Sequence, residues 1–133
     1  MQTAIPQKDL RAIIAEDDAA LRCTLRQIVE TRCEVIAEAE NGQVAVELAG
    51  ALNPDIVLLD ISMPILNGFE ASQRIRNQLP HVRIVIVSSH SDPAYVEQAF
   101  RSGAQGYVFK GSAIVQLVEA IQDVINGRTF RPT

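Results

Sequence analysis

Four short apolar runs in this chain each stop on a residue able to do chemistry. Ile56-Val57-Leu58-Leu59 stops on Asp60, and Arg11 to Ala15 runs into Glu16-Asp17-Asp18. Ile84-Val85-Ile86-Val87 closes on Ser88-Ser89-His90, and Tyr107-Val108-Phe109 ends at Lys110. Carboxylates crowded together raise one another's pKa unless a cation sits among them. A hard divalent ion is the natural remedy: magnesium takes one or two carboxylates from the protein and keeps waters or phosphate oxygens for the rest. Such an ion, with a lysine ammonium and a serine hydroxyl beside it, is equipped to neutralise a phosphoryl group during transfer. Asp60 then becomes the acceptor, since carboxylates form acyl phosphates. Taken singly, each residue has an ordinary explanation: Asp17 and Asp18 cap a helix, Ser88 satisfies a turn, Lys110 is a solvated charge and Asp60 ends a strand. Only their convergence on one rim would make a site.

The elements that must bring them together are legible in the hydrophobic pattern. Ile56 to Leu59 is too short for a buried helix and rich in branched residues, which predicts a strand covered on both faces, and Ile84 to Val87 reads the same way. Cys33 to Ala39 alternates Val35, Ala37 and Ala39 against Glu34, Glu38 and Glu40, the pattern of a half-exposed strand near a sheet edge. Between these runs lie helical stripes: Leu21, Leu25, Ile28 and Val29, with Arg22, Arg26 and Glu30 left for solvent; Val44, Leu48, Ala51 and Leu52; and Ala71, Ile75 and Leu79. A fourth helix places Val96, Ala99 and Phe100 inward, and a fifth, from about residue 112 to 126, buries Ile114, Leu117, Val118, Ile121 and Ile125. Asn41-Gly42, Asn67-Gly68 and Asp92-Pro93 open helices, while Asn53-Pro54 and Gly103 close them. Five strands alternating with five helices predict an α/β fold, a doubly wound parallel sheet with right-handed crossovers. All strand carboxyl ends then share one edge, where ligands bind. Glu16, Asp17, Asp60, Ser88 and Lys110 converge there.

A chain of 133 residues with 47% hydrophobic content fits one domain with a real core. Its formal net charge of −4 argues against gripping a nucleic-acid backbone, which needs a basic face. No apolar run approaches membrane-spanning length, and MQTAIPQKDL lacks the order of a secretory signal, so a cytoplasmic location is expected. Cys23 and Cys33 fall in no metal or redox spacing and read as reduced packing residues.

The ordered set closely resembles the receiver domain of two-component response regulators, from about Arg11 to Asn126. Its residues are the acidic pair Glu16 and Asp17, Asp60 in DISMPILNG, Ser88, and Tyr107 and Lys110 in GYVFK. The resemblance implies a flavodoxin-like sheet of five strands in the order 2-1-3-4-5 with five flanking helices, and a receiver domain over residues 11–127 between an N-terminal tail (1–10) and a C-terminal tail or linker start (128–133). It implies that Asp17, Asp60 and the backbone carbonyl of Ser62 bind Mg2+ or Mn2+ directly, with Glu16 acting through a water. It implies that Asp60 takes a phosphoryl group from a sensor histidine kinase or phosphotransfer protein, with Lys110 and Ser88 neutralising the new charge. It implies too that Ser88 and Tyr107 are the switch pair, and that Ser62 and His90 tune phosphoryl lifetime. The ending K-G-S-A and the tail NGRTFRPT resemble receivers of LuxR/NarL-type transcription factors, in which DNA is bound through a C-terminal helix-turn-helix domain outside these residues. A homodimer through the last helix or the fourth-helix surface is compatible with this.

Two departures stand out: Glu16 where an Asp is commoner, and Gly111 where the family often has a proline after a cis bond. A haloacid-dehalogenase-like phosphohydrolase needs a second acid two residues past the acceptor, where this chain has Ser62, so multiple turnover is not expected. A flavodoxin-like cofactor binder must cradle a phosphate where Glu16-Asp17-Asp18 would repel it. The remaining alternative is a stand-alone or degenerate receiver acting as a protein-interaction module.

Overall fold

The apolar runs pair as a single five-stranded parallel sheet in the order β2-β1-β3-β4-β5 in the computed structural model, which describes residues 9–132. The strands are β1 (Arg11–Ala15), β2 (Glu34–Ala39), β3 (Ile56–Leu59), β4 (Arg83–Ser88) and β5 (Gly106–Phe109). Between and after them run α1 (Ala19–Val29), α2 (Gly42–Leu52), α3 (Gly68–Gln78), α4 (Pro93–Arg101) and α5 (Ala113–Ile125). Residues 1–8 of the segment read as an N-terminal tail lie outside the described residues. No helix among the described residues is long and apolar enough to cross a membrane.

Alternation along the strands splits the core into two layers. Ile13, Val57, Leu59, Ile84 and Ile86 pack with Ala45, Ala49, Ala71, Ile75, Val96 and Ala99 of α2, α3 and α4. Ile14, Ile56, Leu58, Val85 and Val87 pack with Leu25, Val29, Leu117, Ala120 and Ile121 of α1 and α5. Helix starts are fixed by side chains. Asp18 accepts from the Ala20 and Leu21 amides, Asn41 caps α2, Asn67 and Glu70 form a capping box, and Asp92 caps α4 ahead of Pro93.

Several side chains lie elsewhere than the pattern predicts. On α5 the inner face is Ala113, Leu117, Ala120, Ile121 and Val124, while Ile114 is 77% exposed and Val118 and Ile125 are half-buried. A 3-10 turn over Lys110–Ser112 sets the phase of the helix, turning Ala113 inward and Ile114 out. On α2 the small side chains Ala45 and Ala49 face the sheet, leaving Val44 and Leu48 half-buried and Ala51 exposed. Cys33 is buried but Cys23 is exposed on α1, and the two form no disulfide. Arg22 and Arg26 are not left for solvent; both pair with Glu38 on β2. At the departure from Lys-Pro, the described residues contain no cis peptide bond and Gly111 has no positive φ.

Candidate functional site

Strand register decides which side chains meet. Ala15 is level with Leu59, and the Asp60 amide donates to the Ala15 carbonyl at 3.0 Å, so Glu16 and Asp60 emerge side by side. Ser88 is level with Phe109 on β5, so Lys110 leaves the sheet one residue beyond Ser88. Carboxylate oxygens of Glu16, Asp17 and Asp60 lie within 4.8 Å of one another. Lys110 Nζ reaches Glu16 Oε1 at 3.1 Å and Asp60 Oδ2 at 3.2 Å. Glu16 and Asp60 are buried, at 1% and 4% exposed, whereas Asp17 faces solvent.

Burial and the neighbouring charge of Asp60 push the Glu16 carboxyl above its ordinary range, against the Asp18 amide and Lys110, which hold it down. Burial alone would lower the Lys110 pKa, but its contacts with Glu16 and Asp60 outweigh this and raise it. Lys110 is therefore a fixed cation at neutral pH.

The start of α3 is pressed against this pocket. The Gly68 amide donates to the Ile61 carbonyl at 2.9 Å, and a Cβ on Gly68 would stand 2.2 Å from the Asp60 carbonyl oxygen. Only glycine lets the helix begin so close to the backbone of the buried acid. This is the physical sense of the glycine in DISMPILNG.

The other predicted residues form a connected cluster beside the acids. Ser88 is fully buried and its Oγ accepts from the His90 amide at 3.0 Å. The buried Tyr107 ring points inward, its hydroxyl donating to the His90 carbonyl at 2.7 Å, and its pKa is raised chiefly by burial. His90 Nε2 and Ser62 Oγ are 3.0 Å apart, bridging the loops that follow β4 and β3. Glu16, Asp17, Asp60 and Lys110 thus form one group, and Ser62, Ser88, His90 and Tyr107 a second that shares strands β3 and β5 with it.

The donor set suits a hard cation. It is all oxygen, it is anionic, and the buried Glu16 Oε1 has Lys110 as a charge partner but no aligned hydrogen-bond donor among the described residues. Two supporting residues gave no signal in the sequence. Arg22 donates from Nη1 to the Glu16 carbonyl at 2.7 Å, and Tyr95 stacks on His90 with ring centroids 4.2 Å apart. Helical periodicity places Arg22 on a polar face and cannot reveal that the end of β1 lies beneath it.

Residues 12–122 match the family described as the response regulator receiver domain. The transcriptional regulatory protein DegU of Brevibacillus brevis is 33% identical over 132 residues, covering 98% of this chain and 56% of that protein. The chain therefore spans little more than half the length of that curated relative. A two-component response regulator of the LuxR family from Aurantimonas sp. SI85-9A1 superposes with a TM-score of 0.86 at 35% identity, over 90% of this chain and 87% of that one. The signal receiver domain of the response regulator NarL from Mycobacterium tuberculosis gives 0.84 at 33% identity, over 92% of this chain and 100% of that one. With its sheet order, its acid cluster and these relatives in accord, the chain belongs to the response regulator receiver domain family, in the LuxR/NarL/DegU group.

Proposed function

We propose that this receiver domain is a phosphoacceptor switch, with Asp60 taking a phosphoryl group from a phosphohistidine on a sensor histidine kinase or phosphotransfer protein. The observation that carries the reading is Lys110 Nζ set between Glu16 and Asp60 at 3.1 and 3.2 Å on the carboxyl edge of the sheet. An Asp60 carboxylate oxygen attacks phosphorus in line, the phosphorus–nitrogen bond breaks, and its electron pair returns to the departing imidazole. Asp17, Asp60 and the Ser62 carbonyl would hold magnesium or manganese directly, with Glu16 acting through a water. Bound there, the metal supplies positive charge against the phosphoryl oxygens. Lys110 adds a second cation, and the Ser88 hydroxyl donates to a phosphoryl oxygen once it turns from the His90 amide.

The same event reaches the surface through Tyr107. Its hydroxyl and the Ser88 hydroxyl grip opposite ends of the His90 residue, so moving Ser88 shifts the balance between two packings of the loop before α4. The output would be a helix-turn-helix transcription-factor domain, with DNA contacted only by that domain; α4 and the exposed Ile114 and Val115 of α5 offer surface for a homodimer. The chain transfers one phosphoryl group to itself and does not act as a multiple-turnover enzyme.

Incubation with magnesium and acetyl phosphate, read by intact mass, tests this. The expected result is one added phosphoryl group in the parent and none in Asp60→Asn. No gain in the parent, or the same gain in Asp60→Asn, would turn the assignment toward an interaction module.

A further inference from the structure

The position of His90 beside the acid cluster is fixed by more than the loop that carries it. Its backbone is held at both ends, by Ser88 Oγ on the amide and the Tyr107 hydroxyl on the carbonyl. Its ring is held by Ser62, an exposed residue whose hydroxyl can also turn to water. One hydrogen bond at an exposed hydroxyl is a weak restraint on a side chain with two free torsions.

The second restraint comes from α4. Tyr95 lies against the imidazole nearly parallel, with centroids 4.2 Å apart and planes at 8°. Tyr95 is itself backed by Phe69 of α3, at 6.0 Å and 40°. Its backbone is fixed in the capped first turn of α4, where its amide donates to the Asp92 carbonyl at 3.0 Å. Phe69, Tyr95 and His90 therefore form a column of rings running from α3 to the loop after β4. The column ends at Ser62, two residues beyond Asp60.

We propose that Tyr95 is a positioning residue of the acceptor site: by stacking on His90 it holds the imidazole against Ser62 across the gap between the β3 and β4 loops, and so restricts the approach of water to the acyl phosphate on Asp60. This rests on the reading of Asp60 as phosphoacceptor. Hydrolysis needs a water in line behind phosphorus, on the open side of the site. A clamped ring narrows that side, whereas a ring free to rotate opens it intermittently. Loss of the stack should therefore shorten the lifetime of the acyl phosphate while leaving the acids and Lys110 untouched.

The test loads the full chain with magnesium and acetyl phosphate, removes the donor, and tracks the decay of the added mass. Tyr95→Leu should hydrolyse about threefold faster or more, the scale of a lost positioning contact. Tyr95→Phe, which keeps the ring, should retain the parent lifetime. In a His90→Ala background, Tyr95→Leu should have no further effect, since the two residues act as a unit. Thermal unfolding checks that each variant folds, and Tyr95→Met replaces Tyr95→Leu if the latter does not. An unchanged lifetime in Tyr95→Leu, or an equal acceleration with His90 absent, overturns the role of Tyr95 alone. Failure of the parent to gain a phosphoryl group removes the acceptor reading and this inference together.

Discussion

Arg22 and Glu38 tie the acid end of β1 to the edge of the sheet. Arg22 donates from Nη1 to the Glu16 carbonyl at 2.7 Å and from Nε to Glu38 at 2.9 Å, and Glu38 also accepts from Arg26. The Arg26 hydrogen bond, which outweighs the opposing effect of burial, holds the Glu38 carboxyl below its ordinary range, and Arg22 adds to it. A folded pKa below the unfolded one means that the unfolded chain binds the proton more readily. The stabilisation is thus fully present above the unfolded value and is lost as pH falls through the folded one, a window below about pH 4. Glu38→Gln should cost about 1 kcal/mol at neutral pH, the scale of a partly exposed ion-pair network, and should flatten the acid limb of the stability curve. Urea unfolding from pH 7 down to pH 3 measures both; a cost that stays constant across that range would refute the linkage. The sequence marks Arg22 and Arg26 as polar-face residues, which they are, but a helical period carries no information about the strand that passes alongside.

At the scale of elements, the sequence is informative where one periodic pattern decides the outcome. The apolar runs of β3 and β4 and the caps Asn67 and Asp92 are such cases, and so is the convergence of Asp60, Glu16, Ser88 and Lys110, which emerges once the strands are known to be parallel. It is uninformative where a turn sets the phase of the next helix. The 3-10 turn at Lys110–Ser112 puts Ile114 in solvent, though an apolar stripe can be drawn through it equally well. The β3–α3 loop hides a second case. Ile65 has a φ of 72° and is 78% exposed, an unfavourable backbone for a β-branched residue and an unfavourable place for an apolar one. Nothing in Pro64-Ile65-Leu66 signals a left-handed residue. The conformation is imposed from outside: Leu66 must offer its carbonyl to the Gly42 amide at 3.1 Å, and Gly68 must sit against Asp60. Ile65→Gly should therefore stabilise the protein by about 1 kcal/mol, since the relieved strain exceeds the added unfolded-state entropy and little buried surface is lost. A urea midpoint at or below the parent's would show that the loop holds Ile65 for a contact that glycine cannot replace.

Across the whole molecule, a parallel sheet leaves two edges, and the chain treats them differently. β2 carries the exposed Glu34 and the ion-paired Glu38, charges that discourage pairing with another chain. The β5 edge is covered by the chain itself. After α5 the backbone returns, the Phe130 amide donating to the Gln105 carbonyl at 3.0 Å and its carbonyl accepting from the Tyr107 amide at 2.9 Å, in a parallel bridge to Gly106. Phe130 is buried against the α5 layer, and Arg131 pairs with Glu97 at 3.0 Å while lying 4.1 Å above the Phe100 ring. The segment that the resemblance marks as a tail or linker start is thus bonded to the backbone of Tyr107, whose ring reaches back to the loop beside Ser88. Removing the Phe130 ring should cost about 2–4 kcal/mol, somewhat less than a fully enclosed phenylalanine because the site is at the sheet margin. It should also loosen the strand bridge, so that the Tyr107 amide, otherwise protected, exchanges with solvent by local opening rather than by global unfolding. Urea unfolding and residue-resolved hydrogen exchange of Phe130→Ala measure the two effects separately. A large loss of stability with Tyr107 still protected to the global limit would mean that the ring contributes packing alone, and that the backbone bridge holds without it.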